Sequence, residues 1–175
     1  LEGRSVWPVV VLDSLGRTYT LDAPEIPGGR GDGVPVGSLV ELQNGAEVAA
    51  MSSGLPEQHY LLSNSGGYGF IAKLADMVGR VKAGKVMISL EAGEKVLPPQ
   101  AVFTVSLINP DCKVVLASSA NRLLAFALGE LKVMAKGRGL QLMNLGEDEK
   151  LAHIAVVSTP EFVVESVGKR GAVRC

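Results

Sequence analysis

The stretch Tyr60-Leu61-Leu62-Ser63-Asn64-Ser65-Gly66-Gly67-Tyr68-Gly69-Phe70-Ile71 decides the fold. It is a short apolar run, a tight polar turn rich in glycine, and a second apolar run. That order is the signature of a β-hairpin and lacks the 3.6-residue spacing of a helix. The same template occurs earlier as Val9-Val10-Val11-Leu12-Asp13-Ser14-Leu15-Gly16-Arg17-Thr18-Tyr19-Thr20-Leu21. It occurs later as Val114-Val115-Leu116-Ala117-Ser118-Ser119-Ala120-Asn121-Arg122-Leu123-Leu124-Ala125-Phe126.

Working outward, two further anchors follow each hairpin in the same order. A basic, glycine-containing turn appears at Gly29-Arg30-Gly31-Asp32-Gly33, at Val81-Lys82-Ala83-Gly84-Lys85 and at Lys136-Gly137-Arg138-Gly139. The apolar segments after these turns, Val34 to Leu42, Val86 to Leu90 and Leu140 to Leu145, are predicted as strands. An acidic turn closes each unit, at Asn44-Gly45-Ala46-Glu47, Ala92-Gly93-Glu94-Lys95 and Gly146-Glu147-Asp148-Glu149. A last strand is predicted at Val48 to Met51, at Val96-Leu97 and at Leu151 to Val157. Lys73 to Val78 and Leu128 to Val133 are each suited to a single helical turn before the basic loop.

Gly16 to Gly67 is 51 residues and Gly67 to Asn121 is 54, so the period is close to fifty. Four strands of about six residues with their connections fill such a unit, which is the size of one propeller blade. A blade cannot bury both faces alone and must stack on its neighbours. The sequence therefore predicts an all-β, propeller-like array with repeats at about 7–55, 56–109 and 110–160, and a partial copy over 161–175. Residues 1–6 read as a cloning remnant or linker.

Composition narrows the function. The chain has 175 residues, 47% hydrophobic and 20% charged, with 21 glycines and 9 prolines, which suits one globular, turn-rich domain. No apolar run reaches the ~20 residues of a membrane-spanning helix. Cys112 and Cys175 form no disulfide framework, in keeping with a reducing cytoplasm. His59 and His153 are isolated and lack metal-ligand spacing. There is no phosphate-binding Gly-x-x-x-x-Gly-Lys-Ser/Thr loop, and no nucleophile–base constellation, so no catalytic residue, metal or cofactor is assigned within this chain. Asp111 follows Pro110 in a turn, and Arg30-Gly31-Asp32 is explained by its glycine turn without any adhesion role.

A formal charge of −1 argues against a strongly basic nucleic-acid-binding domain, but the charges are segregated. Arg80, Lys82 and Lys85 cluster without an acid between Gly79 and Ser89, as do Lys132, Lys136 and Arg138 between Leu131 and Leu145. Lys169, Arg170 and Arg174 follow the last acid, Glu165. A strand of six residues spans ~20 Å, so successive turns are predicted at opposite ends of a blade, basic turns on one rim and acidic turns on the other. With a Debye length of ~8 Å the rims act separately, and the basic rim becomes a sequence-independent phosphate track. Charged turns on a single repeat are more often plain solvation; their recurrence at one position is what favours the track.

The segments Gly67-Tyr68-Gly69-Phe70, Arg80-Val81-Lys82-Ala83-Gly84-Lys85, Val96-Leu97-Pro98-Pro99, Lys136-Gly137-Arg138-Gly139 and Val167-Gly168-Lys169-Arg170 resemble the C-terminal domain of the topoisomerase IV A subunit, in the gyrase A-like family. The likeness runs from about Trp7 to Arg174. It implies a β-pinwheel, a propeller-like ring whose blades exchange strands. It also implies an accessory domain that binds duplex DNA on its rim and guides segments for ATP-dependent strand passage in decatenation and relaxation. The partners it implies are duplex DNA, the topoisomerase IV B subunit, plus a second copy of the A subunit, in the bacterial cytoplasm at the nucleoid. Magnesium, ATP and the cleaving tyrosine belong to other domains. The phosphate contacts it suggests are Arg80, Lys82, Lys85, Lys132, Lys136, Arg138, Lys169 and Arg170, supported by Arg17, Arg30 and Arg122.

The gyrase A subunit carries a Gln-x-x-Gly-Gly-x-Gly box for DNA wrapping. The nearest match, Glu25-Ile26-Pro27-Gly28-Gly29-Arg30-Gly31, lacks the glutamine, so the resemblance favours topoisomerase IV over a gyrase wrapping domain. The family's domains have five or six blades, so the first blades are expected to be missing, leaving an open arc whose edge strands can pair between molecules. The competing reading is a protein-interaction propeller whose charged rims only solvate the blades.

Overall fold

The computed structural model describes residues 7–29, 31–103, 106–107 and 109–158, together with the backbone of 165–168 and 171–174. The first hairpin is β1 (Val9–Asp13) with β2 (Arg17–Leu21), the second is β4 (His59–Ser63) with β5 (Tyr68–Lys73), and the third is β8 (Lys113–Ser118) with β9 (Leu123–Ala127). Each gains a flanking strand from its own repeat: β3 (Val48–Ser53) on β1, β7 (Gln100–Val102) on β4, and β11 (Leu151–Val157) on β8. All these pairings are antiparallel. A fourth hairpin, β12 (Glu165–Gly168) with β13 (Gly171–Arg174), begins the next copy.

The fourth strand of a blade comes from the following repeat. β6 (Lys85–Val86) pairs with β2, giving the order β3-β1-β2-β6, and β10 (Leu140–Gln141) pairs with β5, giving β10-β5-β4-β7. The third sheet, β11-β8-β9, has three strands among the described residues. This is the strand exchange that the resemblance implies, and it means that a fifty-residue unit does not build its own complete blade.

The three hairpin turns share one chemistry. Gly16, Gly67 and Asn121 hold left-handed φ values of 83°, 81° and 60°, and Asn121 is the non-glycine residue that does so. Asparagine tolerates that region better than other side chains. Three residues before each, a polar side chain closes the turn. The Arg17 N–H donates to Asp13 Oδ1 at 2.8 Å, the Tyr68 N–H to Asn64 Oδ1 at 3.1 Å, and the Arg122 N–H to Ser118 Oγ at 3.2 Å.

Two of the turns also receive the next repeat. The Gly16 carbonyl accepts the N–H groups of Met87 and Ile88 at 2.9 and 3.0 Å, and the Gly67 carbonyl accepts Leu142 N–H at 2.7 Å. A Cβ on Gly16 would lie 2.3 Å from the Ile88 carbonyl oxygen, and one on Gly67 2.8 Å from that of Met143. Glycine is therefore required twice over, by φ and by the crossing chain.

The segments after the basic turns are shorter strands than predicted. Only Lys85–Val86 and Leu140–Gln141 make ladders, because beyond them the chain crosses over the previous hairpin's turn. Val34 to Leu42 forms no strand; a 3-10 turn at Val36–Ser38 folds it back. A strand needs a ladder partner, and no preceding hairpin is present among the described residues to offer one. Instead Val36, Leu39, Val40 and Leu42 pack on Val11, Tyr19 and Leu21, covering the outer face of the first blade. Val96 and Leu97 are likewise not a strand: Val96 makes one isolated bridge with Asn64, and the strand lies at Gln100–Val102. The single helical turns are present at Leu74–Met77 and, as 3-10, at Leu128–Glu130.

The core lies between blades. Val10 and Leu12 meet Leu62, Phe70, Leu74, Met77, Met87 and Ile88 at the first junction. Leu61 and Ile71 meet Val114, Leu116, Leu128, Leu142, Met143 and Ile154 at the second. Burial of apolar area in these two layers, at about 25 cal/mol per Å², supplies the main force that stacks the blades.

Candidate nucleic-acid interface

The second and third basic turns lie against the previous repeat. The Glu41 N–H donates to the Lys82 carbonyl at 3.1 Å, and the Ser89 N–H to the Gly137 carbonyl at 3.0 Å. These are matching positions, since Gly84 and Gly139 both precede the exchanged strand and share a left-handed φ, 73° and 86°. The basic turn of one repeat thus sits beside the chain that leads into the acidic turn of the repeat before it. The expected separation of the two kinds of turn onto opposite rims does not hold at the second junction.

There the Arg138 guanidinium is held by two carboxylates of the preceding acidic turn, Glu91 and, at 2.7 Å, Glu94. It also stacks on the Tyr68 ring, 4.2 Å from its centroid. Glu94 fits because Gly66 leaves it room: a Cβ there would sit 1.8 Å from the carboxylate. Glu94 closes its own turn as well, accepting the Glu91 N–H at 2.8 Å. Arg138 is half-buried and committed to this latch.

At the first junction Ala83 occupies the position of Arg138, and among the described residues this turn makes no ion pair. Arg17 reaches across from β2 and donates to the carbonyls of Ala83 and Gly84, both at 3.1 Å. The Lys85 ammonium donates to the Asp76 carbonyl at 2.6 Å. The side chains of Arg80 and Lys82 are exposed and, among the described residues, make no hydrogen bond or ion pair. Lys132 and Lys136, at the second junction, are exposed in the same way.

Arg122 occupies in the third hairpin the position of Arg17 and Tyr68. It pairs with Glu149, its Nε donating to Oε1 at 2.9 Å, and it donates to the Asn144 carbonyl at 2.7 Å. The hydrogen bond from Arg122, with further ones from the Gly146 N–H and Ser118, pulls the Glu149 carboxyl down to about 2. The same contact raises the Arg122 guanidinium. Arg30, Lys169 and Arg170 lie outside the described residues.

The structure thus brings Arg17, Arg80, Lys82 and Lys85 together at one junction, sets Lys132 and Lys136 at the next, and withdraws Arg138 and Arg122 into ion pairs. Sequence reasoning missed Tyr68, Glu91 and Glu94 as partners of Arg138; the signal was that the acidic turn of one repeat lies 44 residues before Arg138, somewhat less than one period. His59 is buried, His153 is exposed, and Cys112 is a buried free thiol. Among the described residues no group of three or more His, Cys, Asp or Glu side chains could hold a metal ion, and no helix is long and apolar enough to cross a membrane.

Stacked blades, the first two each completed by a strand of the next repeat, define a β-pinwheel. The family model for the DNA gyrase C-terminal domain, beta-propeller, matches residues 113–158. The A subunit of DNA topoisomerase 4 from Neisseria gonorrhoeae is 68% identical over 157 residues, covering 90% of this chain and 20% of the relative. That of Haemophilus influenzae is 34% identical over 177 residues, covering 98% and 23%. The solved E. coli ParC C-terminal domain superposes with a TM-score of 0.90 at 30% identity, over 99% of this chain and 71% of that one. A gyrase A C-terminal domain shares the fold at TM-score 0.64 and 19% identity, over 88% and 49%. The chain belongs to the family of C-terminal domains of topoisomerase IV A subunits. It spans about a fifth of the length of the curated relatives it matches.

Proposed function

We propose that this domain binds duplex DNA without sequence preference and guides segments for strand passage by a bacterial, cytoplasmic type II topoisomerase. The observation behind this reading is the set of exposed cations on consecutive inter-blade turns, Arg80, Lys82, Lys132 and Lys136, with no carboxylate partner among the described residues. Arg17 and Lys85 add charge that is fixed in place by backbone carbonyls. Arg30, Lys169 and Arg170, outside the described residues, stay in the proposal on sequence alone, while Arg138 and Arg122 contribute less because their charge is answered. In the whole enzyme the B subunits, a second copy of the A subunit, magnesium and ATP supply the cleavage and the energy from other domains. DNA positioned here is not read base by base, since among the described residues no helix or ribbon is set to enter a groove for that purpose.

The test is binding of the 175-residue chain to a random-sequence duplex across a salt series. Four neutralised phosphates give a slope of log K on log salt of about −3.6, at −0.9 per phosphate. Reversing Arg80, Lys82, Lys132 and Lys136 to glutamate abolishes binding and leaves the fold intact. A flat salt response, or binding that survives the reversal, overturns the proposal.

A further inference from the structure

The turn that carries Arg80 and Lys82 also presents a side chain that phosphate binding does not use. Val81 is 65% exposed and stands between the two exposed cations. The turn beneath it is fixed from several sides. The Gly84 N–H donates to the Val81 carbonyl at 3.0 Å, Arg17 holds the carbonyls of Ala83 and Gly84, and the Glu41 N–H holds that of Lys82. Gly84 itself is wedged against Tyr19, where a Cβ would come within 2.6 Å of the ring. An apolar side chain at the entry of a pinned turn, between two cations in sequence, gains nothing for the fold by its exposure. At the second junction the matching position is Lys136, so the exposed valine is particular to the first.

Resting on the DNA-binding reading above, we infer that Val81 is an apolar wedge: while Arg80 and Lys82 grip phosphates on either side, its methyl groups press into the minor groove and favour a bend at that step. Proteins that bend duplexes through the minor groove commonly pair cations with an inserted apolar side chain. The chemistry asked of the partner is a deformable duplex, most favourably one with a pyrimidine–purine step at the contact.

The experiment measures affinity, salt slope and end-to-end energy transfer for a doubly labelled random duplex, with the parent chain, Val81→Ala, Val81→Leu and Lys82→Ala. Val81→Ala is expected to weaken binding by about tenfold, the loss of two buried carbons, and to reduce the bend while leaving the salt slope unchanged. Val81→Leu is expected to keep or increase the bend. Lys82→Ala is expected to make the slope shallower by about 0.9. If the parent binds and bends DNA and both Val81 variants match it, the wedge is wrong and the phosphate track stands. If the parent does not bind at all, both fall. Since Val81 is exposed, each variant should melt with the parent, which separates a binding effect from unfolding.

Discussion

At the junction of the first and second blades, Arg17 reaches across to two backbone carbonyls, and among the described residues Arg17, Arg80, Lys82 and Lys85 make no ion pair. At the junction of the second and third, Arg138 reaches the other way, into Glu91 and Glu94 and over Tyr68. The backbone of the two junctions is the same: an exchanged strand, a glycine carbonyl taking paired N–H groups, and a bond from residue 41 or 89 to residue 82 or 137. Only the side chains differ. One joint keeps its positive charge available, and the other uses part of its charge to fasten the blades. A repeat protein can therefore divide two tasks, gripping a polyanion and holding itself together, between successive copies of one joint.

The largest effect tests what the joints share. Gly16→Ala or Gly67→Ala combines left-handed strain with a clash against a carbonyl of the next repeat and should cost more than about 3 kcal/mol in denaturant unfolding. Gly93→Ala, equally left-handed but facing open space, should cost only about 1–2 kcal/mol. Equal losses at all three would show that the crossing chain does not matter. Next, Arg138→Ala takes the cation from Glu91, Glu94 and the Tyr68 face and should destabilise by roughly 2 kcal/mol, against about 1 kcal/mol for Arg17→Ala. A coupling of Arg138 with Glu94 near zero in a double-mutant cycle would erase the distinction between the joints.

A smaller effect is visible in acid. The folded-state pKa of Glu149, about 2, lies below the usual carboxylate value near 4.3, so its contribution is complete above roughly pH 4.3 and is lost as pH falls toward 2. Glu149→Gln should flatten the acid unfolding curve in that window; an unchanged curve breaks the assignment. The smallest effect on stability is at Lys82→Ala, within about 0.5 kcal/mol, although it takes a cation from the track.

The hairpins were legible because their signal is local: apolar runs of strand length around a turn that needs φ above zero. The single helical turns before the basic loops were legible for the same reason. Val34 to Leu42 was not, since its composition suits a strand equally well whether or not a partner edge exists, and that edge belongs to another repeat. The cations were visible as residues, but their fate was not. Arg138 and Lys136 stand two positions apart in one turn, and only the crossing geometry sends one into Glu91 and Glu94 and the other to solvent. Alanine at position 83 and glycine at position 66 decided which joint is latched, and neither residue draws the eye in a search for charge.

Strand exchange also sets a timetable for synthesis. The first hairpin ends at Leu21, and the strand that completes its sheet begins at Lys85, so 64 residues must be added before the edge is closed. At 5–20 residues per second that is a wait on the order of 3–13 seconds. During it a newly made blade exposes an unsatisfied edge, and each repeat leaving the ribosome finishes its predecessor while opening the same vulnerability in itself.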